Sequence, residues 1–262
     1  AGRQAFITIK GPEAAAPADM AEFQAQGDQA YMLKLCRELE DAILHLRLNE
    51  MEVGLWILRT QGDPELFAAH EALLAGNPNH WLATEVQQYW HRTLKRLDVT
   101  SRSLAAYVEH GSCFVGVLAE ILFAVDRSYM MEGAFEGDNR PVATIRLTDA
   151  NFGPYLMGND ITRLQTRFLG DPDHVDNLKS QIGVAIEAEE ADALGLVTMI
   201  LDDIDWEEEV RIFQEERASF SPDAMTGMEA NLRFAGPETM ETRIFGRLTA
   251  WQNWIFNRPN AV

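Results

Sequence analysis

One stretch of the sequence, Ser103–Met131, has the residue pattern of a site that could hold a negatively charged oxygen. A short apolar run ends in the turn Glu109–Ser112, and the run Val115–Val125 that follows is apolar on nearly every side, which predicts a buried helix. The first backbone N–H groups of a helix have no partner within the helix and lie at the positive end of its dipole. A helix that begins directly after a turn can therefore bind an anionic oxygen, although most buried helices of this kind bind nothing.

Three side chains of the same stretch could take part in chemistry. Cys113 would be a nucleophile if the helix start lowers the pKa of its thiol, and a packed neutral thiol is the alternative. Glu120 lies on the buried helix and is an acid/base candidate, or else it forms an ion pair with Arg127 or another basic residue. His110 could assist, although a histidine in a turn is usually in solvent.

The elements that must position these residues alternate between strands and helices. Ala5–Lys10 predicts a first strand, and the continuous apolar run Val53–Leu58 predicts a buried parallel strand. Asp63 is a candidate N-cap for the helix that follows. This alternation predicts a parallel sheet with helical crossovers in residues 1–200, and residues 201–262 predict an all-helical C-terminal region.

Later elements are predicted from shorter signals. Asp160 is a candidate N-cap for a helix that extends to Phe168, and Leu196–Thr198 predicts a short strand. Glu238–Asn257 predicts the last helix.

Composition bounds the class of protein. The 262 residues include 41 acidic and 22 basic side chains, so the formal net charge is −19, which disfavours nucleic acid and anionic membranes as partners. The two cysteines, Cys36 and Cys113, are too few for a disulfide framework and predict buried free thiols in a cytoplasmic protein. The six histidines are scattered without the spacing of a zinc site, so no metal is expected.

Two segments, His110–Glu120 and Ala124–Arg127, together resemble the crotonase family of enoyl-CoA hydratases and isomerases. A more specific resemblance is to the C-terminal half of a divergent crotonase branch, the benzoyl-CoA-dihydrodiol lyases. The segments that carry it are Leu97–Leu104, Gly111–Phe114, Asp126–Met130, Ala193–Thr198, Asp202–Trp206 and, above all, Thr226–Val262.

This resemblance implies a crotonase-like α/β spiral core, of the kind shared with ClpP, followed by the helical C-terminal region. In the family, a glycine N–H of the turn binds the thioester oxygen of an acyl-CoA, so Gly111 and Gly116 become substrate-binding candidates. The sequence departs from the family where consecutive small glycines are usual, because it has Phe114, Val115 and Val117 there. The loop Arg59–Asp63, where the family has its other amide donor, passes straight into a helix.

The family's acid/base glutamate also has no counterpart. Ala150 or Asn151 occupies its place, and neither can transfer a proton in that role, so Asp149 nearby is the remaining candidate. We therefore expect no catalytic residue in this segment. The catalytic glutamates would lie in an absent N-terminal half of the same polypeptide.

The final predicted helix carries an unusual number of large apolar residues. They are Phe245, Leu248, Trp251, Trp254, Ile255 and Phe256. They pack on their own domain or form an interface, either onto the absent half or across a homodimer, and the resemblance favours an interface. Arg258 is a substrate-binding candidate because it is a basic residue near that surface in an acidic chain and could approach a phosphate or carboxylate group.

The function implied by the resemblance is that of a scaffold and dimerisation half of a lyase. The whole enzyme would hydrolytically open the ring of a benzoyl-CoA dihydrodiol in aerobic benzoate degradation, giving an open-chain dehydroadipyl-CoA-type thioester and formate. Coenzyme A would enter as part of the aryl-CoA substrate, with no separate cofactor. Two alternatives stay open: a self-sufficient enoyl-CoA hydratase or isomerase, and a non-catalytic protein-interaction module.

Overall fold

The computed structural model describes residues 2–234 and 238–259, so parts of the segment Thr226–Val262 lie outside the described residues. The strands, in chain order, are β1 (Gln4–Lys10), β2 (Leu55–Gln61), β3 (Ser103–Val108), β4 (Phe114–Val115), β5 (Arg127–Met131), β6 (Ile145–Arg146) and β7 (Met199–Leu201).

The helices fill the connections between the strands and the C-terminal region. They are α1 (Met20–Ala25), α2 (Tyr31–Leu48), α3 (Pro64–Ala75), α4 (Trp81–Asp98), α5 (Val117–Ala124), α6 (Arg163–Arg167), α7 (Pro172–Leu178), α8 (Ala188–Ala193), α9 (Trp206–Ser219), α10 (Pro222–Leu232), α11 (Met240–Arg243) and α12 (Thr249–Ile255). A π-helical turn, Ile244–Leu248, joins α11 to α12.

The main sheet has five parallel strands in the order β1-β2-β3-β5-β7. Every residue of β3 is buried, and so are Leu55–Leu58 of β2. Central parallel strands become continuously apolar when both faces of the sheet are covered, which explains why these two strands were predictable. The short strands β4 and β6 form a separate parallel pair beside the sheet.

Helices pack tightly onto this sheet. Helices α2 and α4 lie against each other, and Trp90 donates its indole N–H to the carbonyl oxygen of Met32 at 3.0 Å. Helix α9 packs on the sheet through Trp206, whose ring lies 5.8 Å from that of Tyr107. The predicted α/β class and the helical C-terminal region are confirmed, whereas the division at residue 200 stays a prediction.

Several predicted boundaries are wrong, and the strand predicted as Val53–Leu58 is Leu55–Gln61. Helix α6 begins at Arg163 rather than Asp160, because the Thr162 side chain accepts from the Gln165 N–H and the Gln165 side chain accepts from the Thr162 N–H. The last sheet strand is Met199–Leu201 instead of Leu196–Thr198. The last predicted helix is helical from Met240 to Ile255, but with the π turn in its middle.

A further difference changes the candidate site. Helix α5 begins at Val117 and does not follow the turn Glu109–Ser112 directly, because β4 lies between them. The residue before the helix, Gly116, has φ +51° and ψ −118°, a conformation that glycine adopts without strain. The amide groups at the start of α5 therefore belong to a second turn, five residues after Gly111.

None of the helices in the described parts of the chain combines the length and apolar character needed to cross a bilayer.

Candidate functional site

The amino-terminal end of α5 is occupied by a carboxylate of the chain itself. Glu71 accepts a hydrogen bond from the Val117 N–H at 2.6 Å through Oε1, and another from the Thr148 hydroxyl at 2.7 Å through Oε2. Glu71 is only 7% exposed. The helix start that the sequence marks as a possible anion site lies at Gly116 rather than after the turn at Gly111, and an internal side chain accepts its first N–H.

Helix α3 delivers Glu71 to this position. Asp63 caps the helix, as predicted, by accepting from the N–H groups of Glu65 and Leu66. The buried residues of the helix recur at helical spacing and define its inward face. They are Phe67, His70, Glu71 and Leu74. A single acid within an apolar stripe is the sequence signal by which Glu71 could have been found.

Gly116 makes room for the carboxylate. A Cβ atom at this position would overlap both carboxylate oxygens of Glu71, so any larger residue would displace the acid. The positive φ of Gly116 also points the Val117 N–H into the same space. Gly116 is thus needed for the backbone conformation and for the close approach of Glu71.

The environment of Glu71 disfavours its ionised form. Burial raises the pKa of its carboxyl group to about 7, the hydrogen bonds from Thr148 and Val117 act in the opposite direction, and Glu120 and Asp149 add repulsion. In the unfolded chain the same group has a pKa of about 4.5. The folded state therefore holds this proton more tightly than the unfolded state.

Glu71→Gln is expected to remove a pH dependence of stability. In the native chain the free energy of unfolding should fall by about 3 kcal/mol as pH rises from about 4.5 through about 7, because the unfolded state releases the proton first. Glutamine accepts from the Val117 N–H through its oxygen and donates its amide to the Thr148 hydroxyl oxygen, without the charge. The variant should therefore be more stable than the native chain at about pH 8 and similar at about pH 4.5.

Urea unfolding at both pH values measures this difference. Glu85→Gln, on an exposed residue of α4, is the control and should change stability little at either pH. A difference between Glu71→Gln and the native chain that stays constant with pH would contradict the assignment.

The backbone N–H groups of three glycines in the loops near this site are hydrogen-bonded within the chain. The Gly62 N–H, in the loop after β2, donates to the Gly111 carbonyl oxygen at 3.1 Å, and the Gly111 N–H donates to Pro141 at 2.8 Å. The Gly116 N–H donates to Arg146 at 3.1 Å. The amides of both predicted substrate-binding glycines are therefore already paired within the chain, as is that of Gly62.

Glu120 belongs to a buried ion-pair network. Its Oε2 accepts from Arg163 at 2.8 Å, and its Oε1 accepts from the Asn151 side chain at 2.7 Å. Arg163 also forms a two-bond pair with Asp98, at 3.0 and 2.6 Å. The predicted ion pair of Glu120 is thus present, and its basic partner is Arg163.

This network is sealed from solvent. The side chains of Asp98, Glu120 and Arg163 are each at most 1% exposed. Burial raises the pKa of both carboxyl groups, although Arg163 acts against this. Both oxygens of Glu120 are occupied, so the arrangement fits the joining of α4, α5 and α6 better than proton transfer to a substrate. No spacing rule in the sequence links these three residues.

The premise for a reactive Cys113 is wrong. Cys113 precedes β4 and not α5, so the helix dipole does not act on its thiol. Its side chain is buried, and its Sγ lies 3.6 Å from the Asp63 carbonyl oxygen. Burial raises the pKa of the thiol to about 12, which keeps it protonated. Cys36 is likewise a buried free thiol.

The other acid/base candidates, Asp149 and His110, differ in exposure. Asp149 is exposed at the start of a 3-10 turn, whereas Asn151 in the same turn is buried against Glu120. His110 is buried and not in solvent, with its ring nitrogens 3.0 Å from Asp138 and 2.8 Å from the Gly133 carbonyl oxygen. Asp149 and Glu120 both lie near enough to Glu71 to repel its carboxylate, whereas Cys113 contacts Thr60 and Asp63.

The predicted interface residues are partly exposed. Phe245 and Phe256 are 75% and 67% exposed, and Leu248 is 47% exposed. Ile255 and Trp251 pack on Gly227 of α10, so one side of α12 covers its own domain. Arg258 forms an ion pair with Asp223 at 3.2 Å and lies over the Trp254 ring. Within residues 2–234 and 238–259, no group of three or more metal-binding side chains is found.

The chain is similar to known proteins in sequence and in fold. No protein-family model matches the chain. The benzoyl-CoA-dihydrodiol lyase of Aromatoleum evansii is 50% identical over 261 residues, which are 100% of this chain but 46% of that protein. The chain therefore spans about half the length of the curated relative that it matches.

Solved structures agree on the fold. The enoyl-CoA hydratase from Thermoplasma volcanium superposes with a TM-score of 0.66 at 15% identity, covering 98% of this chain and 90% of that one. The enoyl-CoA hydratase from Bacillus anthracis gives 0.61 at 18% identity, covering 87% and 82%. The chain thus has the crotonase fold of the enoyl-CoA hydratases, and its sequence is similar to about half of a benzoyl-CoA-dihydrodiol lyase.

Proposed function

We propose that the chain is the scaffolding and dimer-forming half of a cytoplasmic CoA-thioester lyase. The whole enzyme opens the ring of a benzoyl-CoA dihydrodiol by hydrolysis and yields an open-chain dehydroadipyl-CoA-type thioester and formate. The catalytic glutamates lie in the other half of the polypeptide. Coenzyme A enters only as part of the substrate.

The occupation of the α5 terminus by Glu71 carries this proposal. A thioester oxygen would need the Val117 N–H, and this donor already binds a carboxylate at 2.6 Å. Displacing Glu71 would leave a buried acid without its two hydrogen bonds, which disfavours substrate entry. The Gly62 and Gly111 amides, paired with carbonyl oxygens, offer no second donor.

The exposed aromatic surface of the C-terminal helices supports the scaffolding part of the proposal. Phe245 and Phe256 are largely exposed about three turns apart, and Leu248 and Trp254 between them are partly exposed. Exposed aromatic side chains of this kind are typical of protein interfaces. The half-length match to the Aromatoleum lyase favours the rest of the same polypeptide and a second copy as the partners.

The test compares the 262-residue chain with the complete polypeptide that contains it. The complete polypeptide should release formate from a benzoyl-CoA dihydrodiol. The 262-residue chain should show no turnover and no heat of binding with the same thioester in calorimetry. In the complete polypeptide, Asp149→Asn and Cys113→Ser should each keep kcat/KM within about twofold, whereas loss of a true acid or base removes about 10²–10⁴-fold.

The outcomes separate the alternatives. Hydration of an enoyl-CoA by the 262-residue chain would make it a self-sufficient hydratase and overturn the proposal. If the complete polypeptide turns over no thioester, the remaining alternative is a protein-interaction module. A large loss of kcat/KM in Asp149→Asn would place the chemistry in this half.

A further inference from the structure

A cavity lies at the C-terminal end of α5, opposite the end where Glu71 is bound. Its volume is about 660 Å³, within the range of small-molecule sites. The end of α5, the start of β5, α6, the end of α9 and helix α10 surround it. Its apolar lining includes Phe123, Met157, Phe220, Met228 and Leu232.

Three of the five arginines that line this cavity have no carboxylate of the described residues within ion-pair distance. Arg127, Arg167 and Arg217, the three-arginine cluster, form no ion pair with any residue of the described chain. Arg167 donates to the Gly195 carbonyl oxygen at 2.6 Å, a neutral acceptor. In a chain with a formal net charge of −19, three guanidinium groups without an ion pair around one cavity favour an anion as its ligand.

Arg217 adds an independent observation. Its Nε is buried and has no hydrogen-bond partner, and its guanidinium lies over the rings of Phe213 and Phe220 at 5.8 and 6.0 Å. A buried donor without a partner loses its hydration and is stabilised when a ligand supplies an acceptor. The stacked rings hold the guanidinium in place before a ligand arrives.

Two of the three acids at the cavity wall have their ion pair with Arg233 and none with the three-arginine cluster. Asp126 and Glu229 both face Arg233, at 3.0 and 3.8 Å. Burial, with repulsion from Asp126, raises the pKa of Glu229, whereas attraction to Arg233 and Arg217 acts in the opposite direction. The remaining acid, Glu216, is exposed.

We propose that this cavity binds a small organic anion in which a carboxylate is attached to an apolar body. The carboxylate meets the three-arginine cluster, and the apolar body lies against the phenylalanine and methionine side chains. This site is independent of the closed site at Glu71 and of the proposed lyase reaction.

Isothermal titration calorimetry on the complete polypeptide tests the proposal with four probes. Octanoate and 2-naphthoate carry both the charge and an apolar body, acetate carries the charge alone, and 2-naphthol carries the body alone. We expect saturable binding of at least one of the first two, weakened by salt, and no saturable binding of acetate or 2-naphthol at the same concentration. The preference between octanoate and 2-naphthoate identifies the body as aliphatic or aromatic.

Variants locate the bound anion. Arg217→Gln and Arg127→Gln should each raise the Kd about tenfold, because each removes a charge-assisted hydrogen bond. Met228→Glu places an acid at a residue that is 42% exposed and should abolish binding by repulsion while the fold persists. Arg211→Gln is the matched control for Arg217→Gln, because both arginines lie on α9. Arg211 pairs with Glu215 at 3.0 Å outside the cavity, so the Kd of this variant should equal that of the native polypeptide.

Two results would overturn the proposal. One is an absence of saturable binding of both octanoate and 2-naphthoate by the native polypeptide. The other is binding that Arg217→Gln, Arg127→Gln and Met228→Glu all leave at the native Kd, which would place the anion elsewhere.

Discussion

Arg163→Leu is expected to lower the free energy of unfolding by about 3–5 kcal/mol, because it leaves two buried carboxylates without their cation. Asp98 loses the two hydrogen bonds at 3.0 and 2.6 Å, and Glu120 loses one at 2.8 Å. Neither acid can reach water from its present position, since their side chains are 0% and 1% exposed. Urea unfolding at neutral pH measures the loss.

A control variant exists on the same helix. Arg167→Leu makes the same substitution one turn later, where the guanidinium donates to a carbonyl oxygen and leaves no acid behind. It should cost only about 1 kcal/mol. Equal losses in the two variants would show that packing, and not charge pairing, is what Arg163 contributes.

The pH dependence of Arg163→Leu gives a second readout. Without the arginine, the pKa values of Asp98 and Glu120 should rise further, because burial already raises both and Arg163 opposes this. A raised pKa in the folded state means that stability is present at low pH and lost as pH rises. The variant should therefore recover part of its stability in mild acid, and adding Glu120→Gln should restore part of it at neutral pH.

Gly116→Ala is expected to destabilise the chain by about 4 kcal/mol, the second large effect. The new Cβ would overlap the Glu71 carboxylate, and φ +51° with ψ −118° strains any residue that carries a Cβ. The displaced carboxylate would also lose the hydrogen bonds from Val117 and Thr148. Thermal and urea unfolding of the variant measure the combined cost.

Gly137→Ala separates these contributions. Gly137 also has a positive φ, +82°, but a Cβ there meets nothing within 4 Å. Its substitution should cost about 1–2 kcal/mol from backbone strain alone. Combining Gly116→Ala with Glu71→Ser should recover part of the loss, and a double-mutant cycle gives the coupling between the two positions. A cycle with no coupling would mean that the carboxylate does not rest against Gly116.

Both predictions concern the polar contacts that hold helix α5 in the core. Helix α5 is held at its start by the Glu71 carboxylate and in its middle by the Glu120–Arg163 pair. Asn151 links the two, because its side chain donates to the Gly116 carbonyl oxygen at 2.9 Å and to Glu120. Polar groups that could serve a substrate instead fix the helix in the core.

The sequence by itself determined the sheet and the buried helix. The runs at Val53–Leu58 and Leu104–Val108 are apolar without interruption, because parallel strands covered on both faces need such runs, and Asp63 marks the start of α3 by its capping chemistry. These signals are local, since each depends on residues that are neighbours along the chain. They sufficed for the α/β class and for the presence of a helix at α5.

The tertiary structure decided what meets the start of α5. Glu71 and Val117 are 46 residues apart, and Arg163 and Asp98 are 65 residues apart, so no periodicity could pair them. The helix starts after Gly116 and not after the predicted turn at Gly111, because β4 lies between them and pairs with β6, a distant segment. Local patterns predict an anion-binding helix end, and only long-range packing selects the internal carboxylate that occupies it.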